Sequence, residues 1–416
     1  MPANFVSRTE NLKTRETRVD IEKPASSTQA RMIWIDQVKG ISILWIVFFH
    51  FFNAYANDRF PWFIRGGYFS KFLSVCSPDS NFAMLRCWFE SVFVLAIDFG
   101  YHAVGVFLLL SGIGLTYSLA RFVDPPSGWT GWYRDRLLRL YPMYWAAHII
   151  YLVTPFAWSG EPIDYRFALS FAGDRFLPVN TLFYYLNPAW WYFGLLIQLY
   201  FVFPLLFRML QKSGPAGFLI ITGLVTLISR YLLLCVFRVS GDYVQGAFFG
   251  CRLFEFALGM VIGLYLRRDR VAFERRLFST PALLFGVAIY ASGFLTYHSS
   301  AAYTFSDPVF TTGLFVIVAH FASALGRMRS IGSAVARVGF YSYGLYLIHQ
   351  PLVLYLGRHL RDLNLLTFTL IAWLIIPILA AISIALERMI NAITEHILGR
   401  GREAAKPLEP GQSVSP

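Results

Sequence analysis

The sequence predicts an all-α, polytopic integral membrane bundle of about ten transmembrane helices. Three observations predict it. Charged residues make up 14% of the 416 positions and apolar ones 56%, against about 25% and 45–50% in soluble globular domains. Apolar runs of 17–25 residues recur, each long enough for a helix to cross a hydrocarbon layer about 30 Å thick. Basic residues gather between those runs and favour alternate sides. The charge deficit excludes a soluble enzyme, an extracellular scaffold or a disordered tail. An outer-membrane barrel would alternate with a period of two, whereas these runs are continuously apolar.

The runs give spans at roughly 33–54, 91–119, 142–158, 189–207, 216–237, 247–266, 281–297, 308–325, 338–356 and 364–390. An even number places both termini on one side. With cytoplasmic termini, 24 Lys and Arg fall inside and nine outside, the bias that cytoplasmic loops carry. Both termini are therefore expected in the cytoplasm, and topology explains the formal charge of +12 better than nucleic-acid binding does. Residues 1–31 and 393–416 read as disordered cytoplasmic tails around a membrane domain at 32–392. Residues 1–31 lack the apolar core of a removable signal peptide.

Two outside segments, about 55–90 and 159–188, are rich in aromatics, Pro, Gly and Asp. Either they roof a membrane pocket or they only connect spans. No internal repeat is visible, which weakens a secondary-transporter reading. Cys235 and Cys251 read as membrane-embedded apolar residues. Cys76 and Cys87 share one outside loop and either pair or stay separate; no cysteine has metal-ligand spacing.

An ionisable side chain in hydrocarbon is costly, so each one inside an apolar run is a functional candidate. The first span carries Asp36 and Lys39 three residues apart, as a functional pair or as a boundary ion pair. His50 lies eleven residues beyond Lys39, about 16 Å along a helix and close to three turns, so the two share a face. A catalytic imidazole and an interfacial histidine bonded to a neighbouring helix both fit this spacing.

In the second span Gly105, Ser111, Gly112 and Gly114 make one stretch small, either for close helix packing or as a thinned wall beside a slender ligand. Arg136 and Arg139 precede Tyr141 and Pro142. They offer two planar donor forks for a phosphate, or they are positive-inside anchors. Arg252 and Glu255 in the sixth span are structural glue or a contact to a polar substrate. Ser342 and His349 are two turns apart and face the same way. Alternatively His349, just before Gln350 and Pro351, bonds a carbonyl that the proline frees.

Taken together these segments resemble the membrane-bound acyltransferase family 3, integral-membrane O-acyltransferases of bacterial surface glycans, over about residues 32–390. Asp36-x-x-Lys39-Gly40 followed by His50 resembles the family's Asp…Arg-Gly…His first helix. Phe107-x-x-x-Ser111-Gly112 resembles its Phe-x-x-x-Ser-Gly helix, and Arg136-x-x-Arg139-x-x-Pro142-x-Tyr144 its Arg-x-x-Arg signature. Trp191, Tyr200 and Pro204 resemble its Trp…Tyr…Pro helix. Ser342-Tyr343-Gly344-x-Tyr346-Leu347-x-His349 resembles its Ser-Tyr…Tyr-Leu-x-His segment. Each motif is weak alone; their order and placement make the set specific. Two positions depart from the pattern. Lys39 stands where the family usually has Arg, and Leu196 stands where many members carry Glu; Glu255 is a candidate substitute for that acid.

The resemblance implies acyl-CoA, most often acetyl-CoA, as a cytoplasmic donor. It implies a hydroxyl of an extracytoplasmic glycan or lipid-linked sugar as acceptor, and the bacterial inner membrane as the location. His50 is then the expected catalytic residue, with Asp36 in support. Lys39, Ser111, Gly112, Arg136 and Arg139 are expected on the acyl-CoA, and Trp191, Tyr200, Glu255, Ser342 and His349 around the pocket or acceptor. No permanently bound cofactor, metal or nucleic acid is expected; the partners are the two substrates and membrane lipids. The alternative is a lipid or glycan transporter without covalent chemistry, which leaves the arginine pair without a task.

Overall fold

In hydrocarbon an apolar segment must satisfy its own backbone N–H and C=O groups, and a helix does so within the segment. The computed structural model describes residues 32–404 except 62–66, 76–80, 121, 123, 154–161, 178–181 and 240, and no strand occurs among the described residues. In chain order the helices are α1 (Ile33–Ala56), α2 (Tyr68–Val75), α3 (Asn81–Asp98), α4 (Ala103–Leu119), α5 (Gly128–Val153), α6 (Tyr165–Ala172), α7 (Trp191–Tyr231) and α8 (Leu253–Arg268). Then follow α9 (Arg270–Leu277), α10 (Thr280–Gly293), α11 (Ser300–Tyr303), α12 (Ser306–Leu325), α13 (Arg329–Phe340), α14 (Ser342–His359) and α15 (Leu365–Ala404). Cys76 and residues 1–31 lie outside the described residues, and so does the question of a Cys76–Cys87 pair.

Seven stretches among the described residues are long and apolar enough to cross a membrane: Ile33–Ala56, Ala83–Leu119, Pro188–Val236, Phe249–Arg268, Thr280–His298, Ser306–Leu325 and Leu365–Leu398. The stretch at Pro188–Val236 covers two expected spans. They meet at Gly214, whose φ of 68° and ψ of 172° leave the helical region just before Pro215. Glycine tolerates that conformation, and a residue before proline is pushed out of the α region. The expected span 338–356 crosses a break, since α13 ends at Phe340 and α14 starts at Ser342. The supposed loop 55–90 holds α2 and the start of α3, and 159–188 holds α6. α15 continues to Ala404, so residues 393–404 are helical where a tail was expected.

α1 is the central helix, packed against α3, α4, α12, α13, α14 and α15. Glycines set how closely its neighbours approach. A methyl group on Gly40 would overlap the Val335 carbonyl, and one on Gly339 the Asp36 carbonyl, so α13 lies directly on the first turns of α1. The outward faces are apolar: Phe201, Leu205, Leu284, Phe285, Trp373 and Leu374 are each more than 60% exposed. Such a surface suits hydrocarbon surroundings and not water.

Candidate active site

α1, α4, α5, α7, α13, α14 and α15 enclose a cavity of about 420 Å³, within the size range of small-molecule sites. α4 supplies one wall through Val104, Phe107, Ser111, Leu115 and Ser118, a stripe at i, i+3, i+4 spacing that a helix presents on one side. Gly112 points the other way. A methyl group there would overlap the Phe256 carbonyl of α8, and one on Gly259 would overlap the Leu109 carbonyl. The small stretch therefore divides its duties: Gly105 and Gly112 let helices touch, while Ser111 and Gly114 border the cavity. Gly112 is a packing residue and not part of a ligand wall.

One end of the cavity is cationic, with Lys39, Arg136 and Arg139 on its wall. Arg134 is paired with Asp135 at 3.3 Å. Arg136 and Arg139 have no ion pair with a described carboxylate. The Arg136 guanidinium lies 5.6 Å from the Trp132 ring centre, and its Nε, buried, has no hydrogen-bond partner among the described residues. Two uncommitted guanidinium groups at the rim of a pocket suit an anionic ligand. Asp36 is buried and is absent from the cavity wall. It precedes His50 by fourteen residues of α1, about 21 Å along the axis, so its carboxylate does not touch the imidazole.

At the other end the wall is formed by Ile46, Val104, Tyr192 and Tyr346. Neither imidazole lies on that wall. Along their helices His50 stands about 6 Å beyond Ile46 and His349 about 4.5 Å beyond Tyr346. The passage expected to run to His50 is not continuous in this conformation. The two rings meet directly: His50 Nδ1 and His349 Nε2 are 2.9 Å apart, although 299 residues separate them in sequence.

The remaining bonds of the pair fix its tautomers when both rings are neutral. His349 Nδ1 lies 2.8 Å from the Tyr346 carbonyl and 3.1 Å from that of Leu345. Carbonyls only accept, so Nδ1 carries the proton and Nε2 is an acceptor. His50 Nδ1–H then donates to it, which leaves His50 Nε2 with a free lone pair. An imidazole held in this way is a base of fixed direction. His50 itself is half-buried.

Pro351 makes this arrangement possible in an unexpected manner. It has no N–H for the carbonyl four residues back, that of Leu347. Asn187 Nδ2 (3.2 Å) and Trp190 Nε1 (2.9 Å) donate to that carbonyl instead. The freed carbonyl is thus satisfied from the segment before α7, and His349 does not serve it. Gln350 accepts from the Ala189 N–H, and Tyr346 donates its hydroxyl proton to the Ala189 carbonyl. These bonds pin α14 to the start of α7 and set the depth of His349.

Tyr200 and Ser342 line the cavity, and Tyr192 Oη lies 3.3 Å from Ser111 Oγ on its wall. Trp191 does not line it; its ring stacks on Phe183 with centres 5.6 Å apart and faces Gly246. Glu255 is also elsewhere. It is buried and paired with Arg252 at 2.6 Å, and Arg252 and Arg230 both pair with Asp307. That network ties α7, α8 and α12 together, so Glu255 is glue and not a stand-in acid. The acid that does reach the cavity is Glu387 of α15, which lines it along with Leu196 and whose Oε2 accepts from the Gly344 N–H at 2.8 Å. The sequence signal for it was faint: a lone Glu near the end of an apolar run, in no motif.

A helical bundle with apolar outward faces, an arginine-rimmed pocket and a paired set of imidazoles defines the class, a multi-pass membrane protein. The acyltransferase-domain profile of acyltransferase family 3 matches residues 32–388. The chain belongs to that family, which points to membrane acyltransferase activity. No curated protein and no solved structure is significantly similar to it.

Proposed function

We propose that the protein transfers an acyl group, acetyl in the simplest case, from cytoplasmic acyl-CoA to a hydroxyl of an extracytoplasmic glycan or lipid-linked sugar. One observation supports this most. Seven helices enclose a pocket with two uncommitted guanidinium groups at one end and an oriented imidazole one turn beyond the other. The excess of Lys and Arg on one side favours cytoplasmic termini, about ten crossings with α5 and α14 included, and an Arg136–Arg139 rim that opens to the cytoplasm. A bacterial inner membrane is the setting this reading implies.

On this reading Arg136 and Arg139, with Lys39 nearby, hold the donor's phosphates. The narrow thiol-bearing arm lies along Ser111, Gly114 and Leu115. A shift of Ile46 or Tyr346 opens the last turn to the thioester. His50 Nε2 takes the proton of the acceptor hydroxyl as its oxygen attacks the thioester carbonyl. The C–S bond then breaks, and the thiolate takes the proton back from His50 and leaves as coenzyme A thiol. His349 keeps His50 in the productive tautomer, and their hydrogen bond strengthens while His50 is cationic. Glu387 supplies the acid that Leu196 does not, facing Arg139 across the pocket.

The test is transfer of label from radiolabelled acetyl-CoA to added glycans by the purified protein in liposomes. Covalent label on an acceptor is expected, with a loss of about 10²-fold or more in His50→Ala at unchanged protein abundance. Near-normal transfer in that variant removes His50 from the mechanism. Glycan movement without label favours a transporter.

A further inference from the structure

Beyond His50 on α1 lies a second cavity, of about 260 Å³. Its walls include Asn53, Asn57, Asp58 and Asp98 together with the rings of Phe52 and Phe60. Asn53 follows His50 by three residues, just as Ile46 precedes it by four. Lys39, Ile46, His50 and Asn53 repeat at seven, four and three residues, one stripe of a helix, and Asn57 follows just past the end of α1. The imidazole pair therefore sits between two cavities whose nearest α1 residues, Ile46 and Asn53, are about 10 Å apart along the axis.

Asp98 distinguishes this cavity from an ordinary polar crevice. It is 5% exposed and caps no helix with its side chain. Among the described residues its carboxylate has neither a hydrogen bond nor an ion pair. A carboxylate buried without donors costs free energy, and a ligand that brings donors recovers it. The fold holds Asp98 in place. Trp45 Nε1 donates to the Ala96 carbonyl at 2.8 Å, and Gly100 lies against Trp45 and Phe49, which clamps the end of α3 onto α1. Asn57 and Asp58 have φ of 43° and 64°, where the helix ends and turns their side chains to the lip.

We infer that this second cavity binds a neutral, polyhydroxylated ring, the terminal sugar of the acceptor, through Asp98, Asn53 and the Asn57–Asp58 lip. Hydroxyl groups donate to the two carboxylates, and the amides both donate and accept. Phe52 and Phe60 offer apolar faces to the C–H side of the ring. The described lining residues include no Lys or Arg, so two carboxylates oppose a phosphate or a uronic acid. No group of three metal-ligating side chains occurs among the described residues. The volume suits one ring, and the exposed lip lets a longer glycan extend outward.

The inference rests on the acyl-transfer reading for its acceptor role but not for binding, and the experiment separates the two. Full-length Asn57→Cys protein in lipid nanodiscs is labelled with a membrane-impermeant maleimide, with the chain's own thiols as background. Methyl hexopyranosides are expected to slow labelling severalfold and methyl glucuronoside to leave it unchanged; glucosamine, whose ammonium two carboxylates also attract, is the control for a simple cation site. Adding Asp98→Asn, or Asp58→Asn at the exposed lip should the first fail to fold, raises the protecting concentration about tenfold, the effect of losing a charged hydrogen-bond partner. In transfer assays the same changes raise the half-saturating hexoside by a similar factor, while donor half-saturation moves less than about twofold. Protection by glucosamine alone, by the glucuronoside, or by none of the three overturns the inference. Protection without any transfer from acetyl-CoA keeps the sugar site and refutes acyl transfer. Transfer without protection does the reverse.

Discussion

His349→Ala is the most informative perturbation of the imidazole pair. It deletes the acceptor of the His50 Nδ1–H bond, a contact of 2.9 Å, and leaves that N–H without a partner on its inner side. A neutral hydrogen bond contributes about 0.5–1.5 kcal/mol net, and a buried donor left unpaired costs about 1–3 kcal/mol. The bond matters most when His50 becomes cationic, so the larger range applies to the transition state. It converts to a fall in kcat of about 5- to 150-fold. His349 does not line the donor cavity, so half-saturation by acetyl-CoA should move less than about twofold. In His349→Gln the side-chain amide oxygen reaches a similar position and accepts the same proton, and much of kcat should return. The assay is steady-state release of coenzyme A thiol with and without acceptor, normalised to the protein that elutes as a single peak on size exclusion. An unchanged kcat in His349→Ala refutes the reasoning, and so does a loss expressed only in donor half-saturation. A loss that glutamine does not relieve means that His349 acts through packing alone.

Other expectations concern the donor rim and the packing around it. Arg136→Ala or Arg139→Ala removes charge-assisted bonds of about 1.5–3 kcal/mol; donor half-saturation should rise at least about tenfold with little change in kcat, and unaltered acetyl-CoA binding by filtration would end the phosphate-clamp idea. Gly112→Ala drives a methyl group against the Phe256 carbonyl and should destabilise the α4–α8 contact by about 1–3 kcal/mol; a thermal unfolding midpoint equal to wild type would show that the helices can part freely. Arg252→Ala strands the Glu255 carboxylate in the interior at a cost of about 3–5 kcal/mol. Adding Glu255→Ala should recover part of that loss, and midpoints that simply add would mean the two side chains are not coupled.

The sequence by itself determined whatever depends on one helix at a time. Scarce charge and long apolar runs leave helices as the only backbone solution in lipid, and 3.6-residue periodicity places Lys39, Ile46 and His50 on one face without any coordinates. The family motifs likewise found Ser111, Arg136, Arg139, Tyr200 and Ser342, all of which border one cavity. Tertiary structure decided what depends on two helices meeting. Periodicity gives a residue's angle on its own helix but not which neighbour lies there, so Gly112 and Glu255 belong to helix contacts, and Glu387 enters the cavity from the far end of the chain. The pairing of His50 with His349 is of the same kind. It is set by a proline-freed carbonyl on α14 and by the donors Asn187 and Trp190, groups that no local pattern connects.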